Sequence, residues 1–338
     1  MSPRASSDES GRVTEFVGVR DLTRWIAERG TGPIIARLAD YIAEDYRRWQ
    51  SFDKRERVAS HTPFGVIELM PISDPDAYAF KYVNGHPFNP ARGYQTVTAF
   101  GVLADVHNGY PVFVSEMTVL TALRTAATSA AVARLLARPD SRRMALIGAG
   151  SQSEFQAIAF RETLGIDTLR VWDTDPAAME KLARNLEPLG FTVELARDGA
   201  DAVRGADVVT TCTADKANAI GGDCPGKTEL DPAILDRARV FVEYEPQTRI
   251  EGELQAKPAE FAVTELWQVF AGRLPGRESD ADITLFDSVG FAIEDFSALR
   301  CLRDEVRGTD LVVDIDLVAE PENPKDLFGF SMSPAPAA

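Results

Sequence analysis

Met144-Ala145-Leu146-Ile147-Gly148-Ala149-Gly150-Ser151-Gln152-Ser153 is the stretch that decides the fold of this 338-residue chain. An apolar strand runs into a glycine turn, a polar–apolar helix follows, and Leu169-Arg170-Val171-Trp172-Asp173 adds a second strand closed by an acid. Strand, glycine turn, helix, strand and acid is the order of a dinucleotide-binding unit. Gly148 permits the tight turn, Gly150 lets the backbone approach a pyrophosphate, and a helix starting at Ser151 points its first N–H groups at the phosphates. Asp173 follows Gly150 by 23 residues, near the roughly 20 expected of the acid that grips a ribose diol. A carboxylate there repels the additional phosphate of NADP, so the expected cofactor is NAD. Ser153 takes the place of the third glycine, and an ordinary strand-to-helix turn is the competing explanation. The further α/β units at Phe191–Ala196, Asp207–Thr213 and Val240–Tyr244 favour the nucleotide site.

Upstream of this unit the pattern differs. Helices are expected at Asp21–Arg29 and Pro33–Trp49, then strands at Val66–Met70, Tyr78–Val83, Thr96–Val106 and Pro111–Ser115. Near residue 130 strand–helix alternation takes over and runs to about residue 290, after which Ala292–Arg307 reads as a helix returning to the first part. The expected class is α/β: a Rossmann-type parallel-sheet domain, residues 131–291, inserted into a split α+β substrate-binding and dimerisation domain, residues 15–130 and 292–325. Residues 1–14 and 326–338, rich in small polar residues and proline, are expected to be disordered tails.

At 45% hydrophobic and 26% charged residues, the chain is globular and long enough for two cores. Its net charge of −16 argues against nucleic acid or an anionic membrane as partner. Cys212, Cys224 and Cys301 form no pairing pattern, and the polar N-terminus carries no signal-peptide core, so a reduced, cytoplasmic setting is expected. His61, His86 and His107 are scattered, and no metal site is expected.

Charges in apolar surroundings mark the candidate substrate site. In the helix expected from Thr118 to Ala137, Arg124 is the sole charge between Glu116 and Arg134. A guanidinium on a buried helix requires a partner. That partner is either an internal carboxylate or the carboxylate of a substrate, which a planar fork of donors suits. In Tyr78-Ala79-Phe80-Lys81-Tyr82-Val83, alternation sets the aromatic residues on one face and Lys81 on the other. If the aromatic face is core, Lys81 points to solvent or to a cleft. Glu68, among apolar residues in Gly65–Met70, is either a strand-edge acid or a cleft acid, and Arg57 is less distinctive still. Asp223, in the glycine- and proline-shaped loop Gly221–Thr228, is either a turn-stabilising acid or a proton acceptor for a substrate amine.

These residues fall in segments that resemble the ornithine cyclodeaminase and mu-crystallin family, over about residues 15–307. The most specific are Gly65–Pro71, Phe80–Pro87, Gln95–Gly101, Leu123–Ser129, Gly221–Leu230 and Leu285–Phe296. The resemblance implies conversion of L-ornithine to L-proline and ammonia with catalytic NAD, by homodimers formed through the non-nucleotide domain. It implies Arg57, Lys81 and Arg124 as the substrate-carboxylate pocket, Glu68 as partner of the distal amine, Val289 beside the substrate, and Asp223 as the acid/base. Thr96, Arg124, Ser151, Gln152, Asp173, Thr213, Ala214, Lys227 and Ser288 join Gly148 and Gly150 as cofactor positions. One departure stands out: between Thr213-Ala214-Asp215-Lys216 and Ile220-Gly221-Gly222-Asp223 only Ala217, Asn218 and Ala219 remain. A parallel crossover needs a dozen or more residues, so Asp223 and Lys227 are expected to be displaced from the family pattern. Lysine cyclisation to pipecolate, plain amino-acid dehydrogenation and a non-catalytic crystallin-like role are the alternatives.

Overall fold

Strands with one buried and one exposed face dominate the first part of the chain. The computed structural model describes residues 13–213 and 228–332. It opens with β1 (Thr14–Val17), α1 (Val19–Arg29), α2 (Thr31–Arg47), β2 (Asp53–Lys54), β3 (Val58–Thr62), β4 (Gly65–Ser73), β5 (Ala77–Gly85), β6 (Val97–Asp105), β7 (Pro111–Glu116) and α3 (Thr118–Leu136). β8 (Arg143–Ile147), α4 (Ser153–Leu164), β9 (Thr168–Trp172), α5 (Pro176–Leu186), β10 (Thr192–Leu195), α6 (Gly199–Val203) and β11 (Val208–Thr211) follow. After residues 214–227 come β12 (Arg239–Val242), α7 (Glu245–Glu251), β13 (Thr264–Glu265), α8 (Leu266–Phe270), β14 (Thr284–Asp287), α9 (Ala292–Val306), β15 (Val313–Ile315) and α10 (Leu327–Met332).

Three sheets result. An eight-stranded sheet runs β15-β1-β7-β6-β5-β4-β2, with β3 also on β4. Its strands are antiparallel except where β1 lies parallel to β7. The nucleotide half holds a parallel sheet β10-β9-β8-β11 and a second parallel sheet β13-β12-β14. α9 packs on α2, α3 and the inner face of β4, β5 and β6, and β15 closes the edge beside β1. The expected mixed α/β fold with Rossmann-type parallel strands is thus present.

α3 is the axle of the molecule, packed against α2, α4 and α9. Its alanines allow close approach on several sides, and Leu120, Leu123, Ala126, Ala127, Ala130 and Ala131 are buried. By length and composition its 19 residues would cross a membrane, yet 61% of that stretch is buried inside the protein.

Local details differ from expectation. Thr14, in the expected N-terminal tail, opens β1 and is buried. In β5 the aromatic face is the outer one: Ala79, Lys81 and Val83 are buried, while Tyr78 is 39% exposed and Phe80 and Tyr82 are half-buried. The aromatic rings stack along the outside of the sheet instead of filling its core. The helix after the glycine turn starts at Ser153, not Ser151, because Ser153 Oγ donates to the Gly148 carbonyl (2.8 Å) and the turn closes before the helix begins. In the expected C-terminal tail, Leu327–Met332 form a short exposed helix, with Asp326 accepting from the Gly329 N–H (2.8 Å).

Candidate active site

The glycine turn lies at the carboxyl ends of β8 and β11, where parallel sheets present ligand sites. Gly148 has φ +98°, and a Cβ there would stand 2.7 Å from the Cys212 carbonyl, so only glycine fits. Gly150 is the opposite case: a Cβ would meet nothing within 4 Å, which leaves open space where a pyrophosphate approaches. The Asp173 carboxylate accepts from the N–H groups of Ala149 (2.6 Å) and Asp175 (2.8 Å), which fixes it beside the turn. Ser151 is exposed on the turn, and Thr213 follows β11 next to Gly148. Open backbone at Gly150, an acid tied to the same turn and a helix start behind it fit an NAD molecule. Gln152 Nε2 donates to the Ala122 carbonyl of α3 (3.0 Å), joining this turn to the helix that carries Arg124. Thr96 lies just before β6, where its carbonyl accepts from the His86 N–H (2.8 Å).

The charged residues gather on the other side of α3. Lys81, on the inner face of β5 and 1% exposed, contacts Asp295 at 2.8 Å. Arg124 Nη1 donates to Glu294 (2.6 Å), and its Nε lies 2.9 Å from Asp295. Both acids stand in the first turn of α9, where the helix dipole favours negative charge. Arg57, between β2 and β3, contacts Glu68 and Glu251 at 3.1 Å each. Its Nη2 donates to the carbonyls of Val289 and Gly290, both at 2.7 Å. Gln247 Oε1 accepts from the Arg57 N–H (3.0 Å), and Gln247 Nε2 donates to Glu251 (2.7 Å).

The turn Ser288–Gly290 is the abutment between these arms. Gly290 has φ +76°, and a Cβ there would stand 3.1 Å from Arg124 Nη1, so the guanidinium rests on bare backbone. Glu243, fully buried after β12, accepts from Ser288 Oγ (2.7 Å), Gly290 N (3.1 Å) and Val289 N (3.3 Å).

Burial sets the protonation states. Desolvation, helped by Arg124, lowers the Lys81 ammonium to about 8 despite Asp295. Desolvation and then Glu294 raise Glu243 to about 8, and desolvation also raises Glu294 against the pull of Arg124. Burial opposes the charge on Arg124, but Asp295 and Glu294 hold it above its ordinary value.

Arg57, Glu68, Lys81, Arg124 and Val289 are therefore brought together, and Gly148, Gly150, Ser151, Gln152, Asp173 and Thr213 form a second group linked to them through α3. Ser288 donates to Glu243 beside Val289. Ala214, Asp223 and Lys227, with the shortened 217–219 connection, lie outside the described residues. Sequence reading assigned no role to Glu243, Glu251, Glu294 or Asp295. The signal for them is an acid inside an apolar run, as in Val240-Phe241-Val242-Glu243 and Phe291-Ala292-Ile293-Glu294-Asp295-Phe296.

A profile of the ornithine cyclodeaminase/mu-crystallin family matches residues 26–310. The chain belongs to that family. It is 55% identical over 333 residues to an ornithine cyclodeaminase of Agrobacterium fabrum, covering 94% of each chain. Among solved structures it is similar to a lysine cyclodeaminase described as recognising L-lysine, L-ornithine and L-2,4-diaminobutyric acid. That match has a TM-score of 0.85 at 30% identity and covers 94% of this chain and 99% of the other. It is also similar to an archaeal alanine dehydrogenase dimer with bound NAD, with a TM-score of 0.81 at 27% identity, covering 90% of this chain and 100% of the other.

Proposed function

We infer that this family member is an ornithine cyclodeaminase, a lyase that converts L-ornithine to L-proline and ammonia with NAD. The observation that carries this reading is the excess of acid in the charged group: Arg57, Lys81 and Arg124 face Glu68, Glu251, Glu294 and Asp295. A ligand with two ammonium groups and one carboxylate complements that balance, whereas alanine, with one of each, does not. Arg124 and Lys81 orient the substrate carboxylate, and Glu68 receives the distal ammonium. Holding both ends of one molecule sets the distal nitrogen within reach of Cα, so the protein's share of ring closure is positioning. The family resemblance assigns the proton of the α-ammonium to Asp223, a role that holds only if the shortened 217–219 connection still delivers it to the site. NAD bound at the Gly148–Gly150 turn supplies a two-electron acceptor that returns what it takes, so the reaction has no net redox change.

Homodimer formation through the outer face of the large sheet accompanies this reading. Val58, Leu69, Tyr82 and Phe100 stand in one cross-strand row, and Val58, Leu69 and Phe100 are 64%, 42% and 43% exposed. A continuous apolar sheet face of this kind is suited to pairing with a second copy.

The test is mass-spectrometric detection of proline from L-ornithine with NAD supplied, with L-lysine run in parallel for pipecolate and NADH followed by absorbance. Proline without net NADH supports the reading. Pipecolate alone moves the substrate to lysine, stoichiometric NADH indicates a dehydrogenase, and no product from folded, NAD-bound protein removes the catalytic reading.

A further inference from the structure

Glu243 touches neither the nucleotide turn nor the cations directly, yet both guanidinium arms depend on the backbone it holds. Ser288, Val289 and Gly290 all donate to its carboxyl. The same turn supplies the two carbonyls that fix Arg57 and the bare Gly290 surface on which Arg124 rests. On its far side Glu243 faces Glu294, the acid that holds Arg124.

We propose that Glu243 is a positioning residue for the substrate carboxylate: by accepting from three donors of the 288–290 turn, it sets that turn as the common support of Arg57 and Arg124. This rests on the ornithine reading above. The role is geometric, and the acid performs it without a full negative charge. The ionisable groups that face Glu243 are Glu294 on α9, Arg124 on α3 and Tyr46 on α2. Burial and Glu294 keep a proton on Glu243 up to about pH 8. Below that pH, glutamine is its isostere, with one oxygen left to accept from Ser288 and Gly290. Aspartate keeps the acid but withdraws it from the turn by one methylene.

The experiment compares wild type, E243Q and E243D, measuring KM and kcat for L-ornithine, ornithine binding by calorimetry, and thermal melting as a check on folding. E243D is expected to raise KM and the dissociation constant ~10-fold with kcat within ~3-fold, and E243Q to stay within ~3-fold of wild type near neutral pH. A folded E243D with unchanged ornithine affinity overturns the proposal. So does the reverse pattern, E243Q impaired and E243D normal, which would make charge rather than position the role. If E243D does not fold, an impaired E243Q overturns the proposal, and a near-normal E243Q upholds it. Wild type that binds ornithine without making proline removes the activity reading but leaves the calorimetric comparison intact; wild type that binds no ornithine removes both.

Discussion

Arg124 shows how far a single residue can be read. Its isolation in an apolar helix announces a buried cation with a partner, and both partners offered by the sequence are chemically sound. The structure supplies Glu294, 170 residues downstream, together with Asp295. No local pattern connects residues that far apart; only the packing of α9 on α3 does. The internal acids and a substrate carboxylate are alternative partners, because an incoming carboxylate competes with Glu294 and Asp295 for the same donors. Arg124→Ala is expected to lower kcat/KM for ornithine by more than ~100-fold, chiefly through KM, if it anchors the carboxylate. It also leaves Glu294 without its cation while Asp295 keeps Lys81, so a loss of stability of ~3–5 kcal/mol in denaturant unfolding is expected. An unchanged ornithine affinity in a folded variant would assign Arg124 to the internal ion pair alone.

At the scale of elements, the glycine turn separates structural from ligand-facing backbone within three residues. Gly148 is required by conformation and by the Cys212 carbonyl, whereas Gly150 is spaced for something the protein does not itself provide. Gly148→Ala is therefore expected to destabilise the fold by ~1–3 kcal/mol. Gly150→Val is expected to leave the melting temperature of the NAD-free protein nearly unchanged while weakening NAD at least ~10-fold by calorimetry. Equal effects on stability from both would remove the distinction. The existence and type of these elements are legible because periodicity and glycine placement are local. The start of α4 is misread by two residues because Ser153, in the place of a glycine, closes the turn through its hydroxyl. The core face of β5 stays open in the sequence for a different reason: alternation gives two faces but does not say which one is core, and here the outer face is apolar too.

For the whole molecule, that outer face is where a second copy is expected. Phe100→Asp puts a charge into the Val58–Leu69–Tyr82–Phe100 row without touching the inner face, which carries Ala99, Gly101 and Leu103. Light scattering is expected to find a dimer in wild type and a folded monomer in Phe100→Asp; a variant that stays dimeric would place the interface elsewhere. A chain of net charge −16 pairs more readily through such an apolar face than through its charged surface, where self-repulsion acts.

Arg57 reaches from the large sheet to carbonyls that belong to the nucleotide half, and the same side chain meets Glu251 of α7. It is thus a bolt across the cleft. An amino acid whose carboxylate drew that guanidinium away from the carbonyls would have to unpin the two halves as it bound.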